Sequence, residues 1–129
     1  MILLALAFLT GLSACGTNQA QEAEQQKLWD EMMVVHDEAM PKMSDINALS
    51  KQMEAATADT ALTDELRDAT RKALYDLQAA DKVMWDWMYG LQQLPDLRNG
   101  KKHEDIMQYL QDEIGKITEV KNAMPVSYT

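Results

Sequence analysis

The amino-acid sequence predicts an all-α fold: an antiparallel three-helix bundle with a long, Pro-kinked first helix. Three observations carry this expectation. Apolar residues recur at intervals of three and four along three separate segments. No stretch alternates apolar and polar residues as a half-buried strand would. The breaks between segments are short and rich in turn-forming residues.

The first helix is expected to begin near Gln21 to Glu24, in a Gln-, Ala- and Glu-rich stretch that favours helix. Its apolar stripe reads Trp29, Met32, Met33, His36, Met40, Met43, Ile46, Leu49, Met53 and Ala56. Pro41 falls inside it, removes the bond to the carbonyl of Asp37 and bends the helix there. A full break at Pro41, giving four helices, is the alternative; Met40 is a poor N-cap for it, and the stripe runs straight through. Thr57 to Thr60 ends the segment with side chains that compete for the backbone.

Thr63 is the expected N-cap of a second helix, with Asp64 and Glu65 in its positive first turn. The stripe is Leu66, Ala69, Ala73, Leu77, Ala80, Met84, Trp87 and Leu91, small in its first half and large in its second. Leu94 to Gly100, with Pro95 and Asn99-Gly100, reads as the strongest break. A third helix follows from about Lys101 to Met124, with Ile106, Met107, Leu110, Ile114, Ile117, Val120 and Met124 as its face.

Ahead of the bundle, Met1 to Leu12 is uncharged and apolar, too short for a mature span of roughly 20 residues. It suits the apolar region of a signal peptide, although no basic stretch precedes it. Leu12-Ser13-Ala14-Cys15 resembles the bacterial lipoprotein signal, in which small residues precede a cysteine that is lipidated and becomes the mature N-terminus. Cys15 is the single cysteine and has no partner for an intramolecular disulfide. The sequence thus divides into a removed signal peptide (1–14), a lipidated Cys15 with a polar tether (15–22) and a helical bundle (23–125). Gly16 after the cysteine, in place of Asp, favours an outer-membrane lipoprotein facing the periplasm.

The net charge of −9 lies wholly after Cys15, which excludes nucleic acid as a natural partner and leaves anionic lipid repelled by the domain surface. Enzyme motifs are missing. His103-Glu104 begins like a zinc-protease motif, but Met107 stands where its second histidine belongs. His36-Asp37-Glu38 reads as an acid–base cluster only on paper, because neighbours on a helix point about 100° apart. Both carboxylates are therefore expected away from the imidazole.

Methionine is abundant, ten in 129 residues. His and thioether ligands suit Cu(I), and a site of His36, Met40, Met84 and Met88 shares helix faces at four-residue spacing. His103 cannot join it in a bundle in register, since it lies roughly 18 Å lower; a first-turn residue, it is expected to be exposed. The competing reading makes the methionines core residues filling gaps where helices diverge. Trp85 and Trp87 point to nearly opposite sides of the second helix. A middle helix flanked on two sides buries both; left exposed, Trp85 with Met88 beside it marks a partner-binding surface.

Val35-His36-Asp37-Glu38-Ala39-Met40-Pro41-Lys42-Met43, Ala80-Asp81 with Met84-Trp85-Asp86-Trp87-Met88, and Tyr109-Leu110 together resemble segments of a family of small lipoproteins from Bacteroidota-type bacteria. Its members are often labelled "viral A-type inclusion protein". The resemblance covers most of the chain after Cys15 and implies a helical fold and lipid anchoring; it implies no activity. The functional expectation is a non-enzymatic envelope lipoprotein that binds another envelope component. The alternative is a periplasmic protein that binds or senses a copper-like metal through a His/Met face.

Overall fold

The computed structural model describes residues 13–58 and 60–124, with side chains from Asn18 onward. Residues 1–12 of the expected signal peptide and the side chain of Cys15 lie outside the described residues. Among those described, four α-helices and no strand are found: α1 (Ser13–Thr57), α2 (Asp64–Gly90), α3 (Leu94–Gly100) and α4 (His103–Ala123).

The all-α expectation holds, and the count of three is corrected by α3. Its seven residues lie where the sequence reads as a break. Pro95 sits in its first turn, where the missing N–H costs nothing. Leu94 and Leu97, three apart, are both buried against Ile106 and Leu110. The N–H of Lys101 closes the last turn on the carbonyl of Leu97 at 2.9 Å. Burial, not propensity, makes so short a helix.

α1 is unbroken through Pro41. Pro41 and Asp37 are both exposed, so the carbonyl that loses its donor faces water and the apolar stripe on the other side continues. α1 also starts earlier than expected: the residues assigned to a tether, 15–22, lie within it. Arg98 of α3 accounts for part of this. Its guanidinium donates to the carbonyl of Glu22 at 2.8 Å and to Oε1 of Gln25 at 2.9 Å. Gln25 is buried, and its Nε2 lies 3.2 Å from Nδ1 of His103. Arg98→Ala would strand the buried Gln25 oxygen; a loss of about 1–3 kcal/mol in urea unfolding is expected.

The helix directions follow from the ties between them. Asn47 donates to Asp81 at 3.1 Å and Gln78 to Glu54 at 3.1 Å, so α2 runs antiparallel to α1. His103 meets Glu24 at 3.3 Å and Lys121 meets Glu38 at 2.8 Å, so α4 runs parallel to α1. These ties to α4 end at Lys42, which donates to the carbonyl of Lys121. Beyond Lys42, the side-chain hydrogen bonds between α1 and another helix go to α2 among the described residues. Thr63 caps α2 as expected, its hydroxyl accepting from the N–H of Leu66 at 3.3 Å.

The core is a heptad seam. On α1 the buried residues Gln25, Met32, Ala39 and Ile46 stand seven apart; on α2, Leu77 and Met84 do. On α4, Ile106, Glu113 and Val120 form one such row, and Leu110 and Ile117, continued by Met124 just past its end, the other. Leu66, expected in the stripe, is half exposed near the start of α2. Among the described residues no helix is long and apolar enough to cross a membrane.

Candidate functional site

The residues with chemical potential meet around Trp87. From α2 this indole reaches across the core, 8 % exposed, and touches both neighbouring helices. On the α1 side the His36 ring lies against it, centroids 5.9 Å apart and planes tilted by 30°. On the α4 side its Nε1–H donates to Oε2 of Glu113 at 2.9 Å. The other carboxylate oxygen of Glu113, Oε1, accepts from Lys116 at 2.7 Å.

Glu113 is only 5 % exposed, and both its oxygens are satisfied, as a buried carboxylate requires. Lys116 is mostly exposed, and its hydrogen bond to Glu113, with the attraction of that charge, holds its ammonium pKa above the usual lysine value. One turn earlier on α4, the Tyr109 hydroxyl accepts from the N–H of Gln92 at 2.8 Å. Burial, the largest cause, pushes its pKa up.

Sequence reasoning placed Ile114 on the buried face and passed over Glu113. Ile114 is half-buried and Glu113 is in the seam. The signal was present: Glu113 stands seven residues after Ile106 and seven before Val120.

His36 is half-buried, its side chain 14 % exposed. The expectation that Asp37 points away from it is corrected. Asp37 Oδ1 lies 3.0 Å from His36 Nδ1, although the carboxylate itself remains in water. Helical phase separates the two Cβ atoms, but the rotatable Asp37 side chain closes the gap along the helix surface. Asp81, on α2, accepts from the side chain of Asn47 at 3.1 Å.

Of the expected copper ligands, Met84 is completely buried, and Met40, Met88 and His36 are half-buried. The three methionines belong to one apolar cluster with Trp87. Among the described residues, no three His, Cys, Asp or Glu side chains gather into a metal-holding group. His103 stays apart from His36: it pairs with Glu24, roughly 18 Å lower along α1. It is not the exposed side chain expected of a first-turn residue, being 17 % exposed and held by Gln25 as well.

Trp85 is not buried between helices. It is 41 % exposed and stacks on Tyr89, which is 83 % exposed, with centroids 5.9 Å apart. Met88, the other residue expected at a partner surface, is half-buried beside it. Tyr75, also exposed, stands 14 residues before Tyr89 and therefore on the same face of α2. Of the two alternatives for Trp85, exposure is the one found, and it has a simple cause. α1 and α4 occupy adjoining flanks of α2, those of Asp81 and Trp87, and leave its back uncovered.

A groove of about 480 Å³ opens between α2 and α4 on the side away from α1. Val83, Trp87 and Val120 form its apolar surface, and Glu113 and Lys116 stand in it. No family model, no curated protein and no solved structure matches the chain.

Proposed function

We propose that this chain is a non-enzymatic lipoprotein of the bacterial cell envelope, anchored through Cys15 and facing the periplasm, most simply from the outer membrane. Its helical body, three long helices with a bend in the first at Pro41, binds another envelope component. The observation that carries the reading is the exposed Trp85–Tyr89 stack on the uncovered back of α2. Aromatic side chains held rigid at a surface supply large contact area at low entropic cost, which is why they are enriched at interface centres. The Leu12 to Cys15 segment and the resemblance to small envelope lipoproteins support the location.

A photo-crosslinking amino acid in place of Trp85, in living cells, should give a discrete adduct that disappears in Tyr89→Ala. Labelling no stronger than from Gln108, an exposed position on α4, would sink this reading. Copper binding by His36, Met40, Met84 and Met88 is the second reading, favoured by their shared cluster around Trp87.

A further inference from the structure

We infer that the groove between α2 and α4 is a docking slot for a basic amphipathic helix, whose cation takes the place of Lys116 on the buried carboxylate of Glu113. This slot lies on the opposite flank of α2 from the Trp85–Tyr89 stack and is argued independently of it. Three observations converge on it.

The first is shape. Residues 83–90 of α2 and 113–123 of α4 line the groove, roughly 10–15 Å along the helices at 1.5 Å per residue, or two to three turns of a guest. Gly90 and Ala123 stand on its two walls, and a Cβ built at Gly90 meets nothing within 4 Å. A guest helix could approach both walls closely.

The second is charge. Asp86, Glu113 and Glu119 line the groove against one lining lysine, Lys116; Lys82 pairs with Asp86, which leaves Glu119 to add to the acidic side, in a chain of net charge −9. An acidic or neutral helix would gain nothing from that rim, whereas Lys or Arg beside an apolar stripe complements it.

The third is the construction of the anchor. Trp87 fixes Oε2 of Glu113 from inside the core, while among the described residues Oε1 is held by Lys116 alone, whose side chain is 62 % exposed. The carboxylate is therefore preorganised by one permanent donor and closed by one removable donor. A guest cation can replace Lys116 without leaving the buried charge unpaired, so the exchange avoids the cost of an orphaned ion.

The probe is an amidated helical peptide of roughly 15 residues built from Leu, Ala and Lys with one apolar stripe, beside its twin with Glu for Lys. Binding to the purified full-length protein is followed by fluorescence anisotropy. The Lys peptide should bind and the Glu peptide should not. Glu113→Gln, which keeps an acceptor for Trp87, should weaken binding about tenfold or more, and Lys116→Ala should tighten it.

Gly90→Leu fills the slot without changing any charge, and should abolish binding while leaving the thermal midpoint no lower, because a Cβ at this last residue of α2 meets nothing within 4 Å. Ala123→Leu blocks from the α4 wall and should act alike. A Lys peptide that fails to bind, or binds Gly90→Leu and Ala123→Leu as tightly as the parent, would overturn the proposal, since affinity would then be absent or owed to net charge alone. Equal binding to Glu113→Gln would overturn the anchor.

Discussion

Replacing Trp87 with alanine is expected to lower the unfolding free energy by about 3–5 kcal/mol, the range for large aromatic truncations in a packed core. Three losses coincide at this position. The indole is 8 % exposed, so its removal opens a cavity between α1, α2 and α4. The His36 ring loses the surface it packs on, at 5.9 Å between centroids. Glu113 loses the donor on Oε2 and keeps only Lys116.

Trp87→Phe separates these terms, since it retains most of the apolar volume and removes the N–H. Its cost should be about 1–3 kcal/mol, that of a buried polar group left without its partner. Trp85→Ala, two residues away, should cost about 1 kcal/mol or less because its ring lies at the surface, 41 % exposed, and packs on Tyr89 and not in the core. Urea unfolding of the three variants tests the ranking; a Trp85→Ala loss matching that of Trp87→Ala would mean the two roles are assigned the wrong way round.

Truncation of Met84 to alanine is expected to cost about 2–5 kcal/mol, since the side chain is wholly enclosed at the centre of the seam. The more informative substitution is Met84→Leu. Volume-conserving swaps in a core commonly cost less than about 1.5 kcal/mol, yet this one deletes the thioether sulfur. Titration with Cu(I) against a competing chelator then divides the two roles of the cluster. If Met84, Met40 and Met88 are gap-filling core residues, the leucine variant folds normally and the chelator competition is unchanged. If they ligate with His36, the same variant folds normally and loses about tenfold or more in affinity, as does His36→Ala.

The parts of the fold that were legible in the sequence are those governed by local chemistry. Thr63 announces α2 because a hydroxyl there satisfies an orphan N–H, and it does so whatever packs nearby. The spacing of Ile106, Leu110, Ile117 and Val120 announces the buried face of α4. What escaped depends on neighbours. Leu94 and Leu97 form a helix because α1 and α4 supply a surface for them, and no propensity in Pro-Asp-Leu-Arg-Asn-Gly would say so.

Gln25 and Glu113 hold heptad positions that polarity disguises; their burial depends on Arg98 and His103 in one case and on Trp87 and Lys116 in the other. The sequence leaves Trp85 open between burial and a partner-binding surface, because helical phase does not say how much of the second helix its neighbours cover. The packing leaves the back of that helix uncovered. The Asp37 contact escaped because helical phase fixes Cβ directions and not the reach of a rotatable side chain.

The early start of α1 bears on how a lipid-anchored form would stand at its membrane. Coil between an acylated cysteine and a domain acts as a leash, and the domain tumbles at its end. Here helix runs from Ser13 without interruption into the core, and Arg98 clasps it at Glu22 and Gln25. Cys15 and the Gln25 clasp would then be separated by a rigid strut of about 15 Å, at 1.5 Å per residue. The far tip at Thr57 could stand no more than about 63 Å from the anchor by the same measure. A strut transmits orientation where a leash discards it. The tilt of one helix at the bilayer would thus set which flank of α2, the aromatic back or the acidic groove, is presented to whatever lies across the gap.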